Sequence, residues 1–146
     1  MKKAATQKIT ATPVRFGSRQ SNTTWSSVSD EVHFIPLDVQ IMNIYDRLAV
    51  SSVPRGEWKM MATSNGGVYI YPNSKVKTVK MQSPNGHKCE VSLETSGIIA
   101  TLFAMSFASC RGNGHAGDAY HSIMEYLGID RRDCHPEMDD ILAMID

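Results

Sequence analysis

The clearest hydrophobic signal in the chain is the stretch from Thr95 to Cys110, which holds no charged residue. Ile98, Ile99, Leu102, Phe103, Met105 and Phe107 fall on every side of a helix of this sequence. A helix apolar all round belongs at the centre of a fold. The run falls short of the ~20 apolar residues a membrane span needs, and Thr101 and Ser106 suit a protein interior better than lipid. Ser92 stands where an N-cap is wanted, and Glu94 lies near the helix's positive end.

Three weaker helical patterns flank this one. Leu37, Ile41, Ile44, Tyr45 and Leu48 make one apolar face, with Asp38, Asn43, Asp46 and Arg47 turned outward. Pro36 suits the first turn of that helix, and Pro54 and Gly56 mark its end. Asp118 is expected to open a helix with Tyr120, Ile123, Met124 and Leu127 on one face, stopped by Gly128. Pro136 is expected to start a last helix, with Met138, Ile141, Leu142 and Ile145 inward and Asp139 and Asp140 outward. Between the first and second helices the period changes to two. Glu57–Thr63 and Val68–Tyr71 flank Ser64-Asn65-Gly66-Gly67, a hairpin signal because Asn-Gly accepts positive φ. Lys75–Met81 and Lys88–Val91 pair around Ser83-Pro84-Asn85-Gly86, with Cys89 and Val91 on the buried face. The pattern predicts an α+β fold, a small antiparallel sheet of about four strands packed with about four helices. Residues 33–146 form its single domain. Residues 1–32 read as a loosely ordered N-terminal arm, because Ser18–Asp30 is polar and poor in large apolar side chains. Within the arm, Ile9–Val14 is an edge-strand candidate and Arg15-Phe16-Gly17 a docking segment.

Charge narrows the function. The 146 residues carry no net charge, yet residues 1–88 hold twelve basic against five acidic residues and residues 89–146 three against ten. A DNA mimic is acidic throughout and a dedicated nucleic-acid binder is basic, so the balance favours neither. Lys75, Lys77, Lys80 and Lys88 with Tyr69 and Tyr71 are the one pattern that suits single-stranded nucleic acid. Edge lysines that block sheet-to-sheet association are the favoured explanation, given the zero net charge. No metal is expected: Cys110, His115, His121, Cys134 and His135 lack every common ligand spacing and read as core thiols and surface histidines. Cys134 adjoins His135, but neighbours in sequence seldom aim at each other. Only Arg111 stands near enough to Cys110 to favour a thiolate. The Gly-rich pieces at 65–67 and 111–114 match no phosphate-binding loop. No residue set supplies nucleophile, base and oxyanion donors, so the chain reads as a non-enzymatic interaction protein without a cofactor. Met1-Lys2-Lys3 is followed by no apolar run, and three widely spaced cysteines suit a reducing cytoplasm.

Taken in order, several segments resemble the ArdB/KlcA-type antirestriction family. They are Tyr45-Asp46-Arg47-Leu48, the hairpin Thr63-Ser64-Asn65-Gly66-Gly67-Val68-Tyr69, Ser92-Leu93-Glu94-Thr95-Ser96-Gly97-Ile98 and His135-Pro136-Glu137. The resemblance implies a protein of mobile DNA that relieves type I restriction in the bacterial cytoplasm, acting on the restriction complex or an associated host factor. It also implies that the protein does not mimic DNA. The expected contact face is acidic: residues 130–146 hold six carboxylates against two arginines. Asp139 and Asp140 have less local reason than Glu137 to sit near the helix start, and Asp146 lies near the less favourable C-terminal end. A solvated face that aids solubility is the plain alternative to one that meets a basic partner. The exposed hairpin tip Ser64, Asn65 and Gly66 is the second expected contact.

Overall fold

The structure, a computed structural model, describes residues 8–15, 18–19, 37–51, 53 and 56–146. Everything in it is arranged around one helix. Strand β1 (Ala11–Val14) precedes α1 (Leu37–Leu48). Strands β2 (Trp58–Thr63), β3 (Val68–Pro72), β4 (Thr78–Gln82) and β5 (Lys88–Ser92) follow. The chain ends with α2 (Leu93–Cys110), α3 (Gly114–Leu127) and α4 (Met138–Ile145). Helix α2 touches α1, α3, α4 and strands β3, β4 and β5. Its residues Thr95–Leu102 are all buried, so the uncharged run is the core helix its composition predicts. By length and composition α2 also passes for a membrane span, but here it is wrapped by the rest of the fold. Its last turns turn amphipathic: Phe107 is 49% exposed, and Ser106, Ser109 and Cys110 face outward.

Helix α2 packs against bare backbone. A Cβ at Gly97 would lie 2.2 Å from the Ile70 carbonyl oxygen and 2.3 Å from the Tyr71 Cβ. The missing side chain therefore sets how closely α2 meets β3. The strand presents its free edge there. Hydrogen bonds from Asn73 N–H to Glu57 O and from Thr63 N–H to Gly67 O fix the β2–β3 register, which turns the Ile70 backbone away from β2. The Ile70 N–H donates instead to Thr101 Oγ1 at 3.3 Å, while the Thr101 hydroxyl donates to Gly97 O at 2.8 Å. A buried threonine in a helix thus satisfies an edge strand.

The strands form two sheets rather than the one expected, β1-β2-β3 and β4-β5, all pairs antiparallel. The reason lies at the two edges. The outer edge of β3 is covered by α2. The outer edge of β4 is taken by the chain leaving α1: Val50 N–H donates to Lys80 O at 2.8 Å, Lys80 N–H donates to Ser51 Oγ at 2.9 Å, and Ala49 bridges Met81. Neither edge is free to join the other. The edge strand expected within residues 9–14 is β1, paired with β2 from Ala11↔Thr63 to Val14↔Met60. Most of the expected N-terminal arm, including Phe16-Gly17, lies outside the described residues, as do Phe34, Pro36 and Pro54.

Two helix starts differ from expectation. Helix α3 opens at Gly114, four residues before Asp118, because the buried Asn113 caps it: Ala116 N–H donates to Asn113 Oδ1 at 3.0 Å. Gly128, at φ 82°, stops it as expected. Helix α4 opens at Met138 rather than Pro136, since Glu137 N–H donates to His135 Nδ1 at 3.0 Å and holds residues 135–137 in a turn. Its buried face is Met138, Ile141 and Met144, and Leu142 is 36% exposed. The apolar stripe runs through Met144 in place of Leu142.

Candidate functional site

The last helix carries the expected contact residues, and the structure shows what positions it. Glu137, just before α4, reaches across to the start of α2. Its carboxylate accepts from Ser92 N–H at 2.8 Å, the Ser92 hydroxyl at 2.8 Å and the Thr95 hydroxyl at 2.7 Å. Ser92 Oγ meanwhile accepts from Thr95 N–H at 3.2 Å, the predicted N-cap of α2. Burial alone would push the Glu137 carboxyl up. The bonds from Thr95 and Ser92 outweigh it, and His135 adds to them, so the group is held below its ordinary value. A carboxylate from α4's leader thus sits on the positive end of the core helix. A second tie joins the far end of α4 to the β4–β5 turn: the Asn85 amide donates to Asp146 O at 2.9 Å and to Ala143 O at 3.3 Å. The same Asn85 takes its side-chain oxygen to the Ser83 hydroxyl and to His87 N–H.

On this fixed helix the three aspartates differ. Asp139 and Asp146 are exposed. Asp140 is half-exposed and faces His87, with Oδ1 to Nε2 at 3.3 Å. Cys89 lies beside them, one ligand atom from each of His87, Cys89 and Asp140 falling within 4.8 Å of the others. Burial pushes the Cys89 thiol up, with Asp140 and Glu137 adding to it, which is the opposite of an activated nucleophile. The sequence reading passed over this trio because Asp140 is 51 residues from Cys89. The His-x-Cys spacing where the turn enters β5, which puts both side chains on one face, was the available signal.

Next to α4 an open groove of about 870 Å³ runs between α3 and α4. Tyr120, Met124, Ile129 and Leu142 line it, and its charged lining is Glu125, Asp130 and Asp146 against Arg131. Ile129 is 43% exposed. Exposed apolar side chains beside carboxylates make a surface suited to a partner with basic and apolar groups. Reading Leu142 as a core residue hid this groove in the sequence.

The second expected contact, the hairpin tip, is largely committed to the fold. Asn65 donates to Ser122 O at 2.9 Å and accepts from the Thr63 hydroxyl at 2.6 Å. Ser64 Oγ accepts from Thr10 N–H at 3.1 Å. Gly66, at φ 95°, supplies the turn and remains exposed. The lysine–tyrosine platform is not assembled. Tyr69 is fully buried, and Tyr71 is half-buried with Lys59 over its ring at 5.9 Å. Lys80 and Lys88 are exposed on the other sheet. The reading of the cysteines as core thiols is also corrected: Cys110 is exposed, and Cys89 and Cys134 are half-buried. Cys110 ends α2 on its outward stripe, which the uncharged composition of the run conceals. His115 and His121 are exposed, and His135 is half-buried.

Over residues 52–146 the chain matches the family model described as antirestriction protein, and it belongs to that family. Its fold is that of a solved structure of the KlcA and ArdB proteins, with TM-score 0.71 and 23% identity, covering 99% of this chain and 100% of that one. Those proteins are described as a novel fold with antirestriction activity against type I DNA restriction systems in vivo but not in vitro. The chain is also similar to antirestriction protein KlcA of Escherichia coli, 33% identical over 76 residues. That match spans about half of either chain, 49% of this one and 52% of KlcA.

Proposed function

We propose that this protein relieves type I restriction of incoming DNA in a bacterial cytoplasm, by binding a protein partner and without catalysis. The family match over residues 52–146 carries the reading. Zero net charge supports a mechanism other than DNA mimicry. The activity described for KlcA and ArdB in vivo but not in vitro supports a partner present only in the cell, a host factor associated with the restriction complex. Asp146, which lines the groove between α3 and α4, and the exposed Asp139 of α4 form the face that meets a basic surface on that partner. Complementary charge there speeds and orients docking.

The test is a charge-removing variant, Asp139→Asn, Asp140→Asn and Asp146→Asn together, in a host with a type I system challenged by unmodified phage. The variant folds with a melting temperature close to that of the parent and loses protection. A folded triple variant that protects as well as the parent rejects this face as the contact. DNA binding with a steep salt dependence would instead place nucleic acid among the partners.

A further inference from the structure

We propose that His87, Cys89 and Asp140 form a binding site for a divalent cation of the zinc class. Cys89 lies in β5 and His87 immediately before it. Ser83 N–H donates to His87 O at 2.9 Å, which carries the β4–β5 pairing one residue further, so the two side chains, two residues apart, leave the chain on the same face. Helix α4 packs on that face and contributes Asp140. The donors are an imidazole nitrogen, a sulfur and a carboxylate oxygen, the set that selects zinc and its neighbours over magnesium or calcium. The spacing suits a tetrahedral ion. Zinc–nitrogen and zinc–oxygen bonds near 2.1 Å place the two ligand atoms about 3.4 Å apart. His87 Nε2 and Asp140 Oδ1 are 3.3 Å apart. The sulfur belongs about 3.6 Å from each, and it already lies within 4.8 Å, so closure takes about 1 Å of side-chain movement. His87 and Asp140 side chains are 33% and 42% exposed, which leaves an entry path and a fourth position for water.

The geometry separates this site from the zinc sites that build small folds. Helix α4 is already held by Glu137 on Ser92 and Thr95 and by Asn85 on Asp146. The site is therefore assembled before the ion arrives. Binding clips the β4–β5 turn to α4 and neutralises Asp140, and chelation leaves the chain folded. Bound metal thus withdraws one carboxylate from the acidic face while Asp139 and Asp146 keep theirs.

Full-length, tag-free protein, stripped with chelator and kept reduced with a non-thiol reductant, is titrated with Co²⁺. One ion binds per chain, a thiolate-to-cobalt charge-transfer band appears, and Zn²⁺ displaces the ion. Cys89→Ser abolishes the band. His87→Gln and Asp140→Asn each weaken binding by about tenfold or more. Cys110→Ser and Cys134→Ser change nothing. Circular dichroism checks each variant, and Asp140→Asn, on the helix surface, remains decisive if Cys89→Ser fails to fold. Absence of a one-to-one complex overturns the proposal. So does a band that survives Cys89→Ser, or one that disappears with Cys110 or Cys134. Affinity unchanged by Asp140→Asn overturns it as well.

Discussion

Replacing Glu137 with alanine removes the carboxylate that joins the leader of α4 to the start of α2. Three donors converge on it, Ser92 N–H, the Ser92 hydroxyl and the Thr95 hydroxyl, at 2.7–2.8 Å. Hydrogen bonds to a charged group contribute about 1.5–3 kcal/mol each when well buried. Glu137 is only half-buried, so about 1 kcal/mol each is the fairer figure, and the loss totals about 3 kcal/mol. For a chain of this size that lowers the melting temperature by roughly 6–12 °C. Glu137→Gln keeps one acceptor oxygen but turns an NH2 toward donors, so its loss is nearly as large. The pH dependence gives the sharper check. The folded carboxyl is held below its ordinary value, so its contribution is complete above the unfolded-state pKa and is lost as pH falls through the folded one. The gap in melting temperature between parent and Glu137→Gln is therefore full above the ordinary carboxylate range and shrinks as pH falls through and below it. Thermal unfolding followed by circular dichroism across pH reads both effects. A gap under about 2 °C at neutral pH, or one that does not shrink in acid, refutes the latch.

Two further substitutions probe the core. Gly97→Ala places a methyl against the Ile70 carbonyl and the Tyr71 backbone, neither of which can yield without moving β3 from α2. It destabilises by about 3 kcal/mol or more, seen as a fall in denaturation midpoint, and a loss under about 1 kcal/mol contradicts the close packing. Tyr69 is fully buried, its ring stacks on Tyr126 with centroids 6.1 Å apart, and its hydroxyl has no hydrogen-bond partner of good geometry among the described residues. Tyr69→Phe is therefore neutral or stabilising by up to about 1 kcal/mol, and a loss beyond that shows the hydroxyl to be a working partner.

The local parts of this fold were legible before the structure. The uncharged run at 95–110 and the Ser92 cap mark α2, and Asn65-Gly66 marks the β2–β3 turn, because each is determined by neighbours in sequence. Caps with weaker signatures were less legible. Asn113 sits in a Gly-rich stretch that reads as loop, and Pro136 imitates a helix start. The long-range relations were not legible at all. Whether one sheet or two forms depends on Thr101 reaching Ile70 and Ser51 reaching Lys80. Likewise Glu137 meets Ser92 and Thr95, and Asp140 meets His87, across more than 40 residues. The acidic residues of α4 were picked out by composition. The groove beside them depends on Leu142 facing outward, which the helical period alone does not distinguish from Met144 facing in.

Restriction relief itself is tested most directly by plating. Unmodified phage is plated on a host with an active type I system and on the same host lacking it, each with and without this protein at verified expression. The protein raises plating on the restricting host toward that of modified phage and leaves the restriction-free host unchanged. Equal plating with and without the protein on the restricting host contradicts the account.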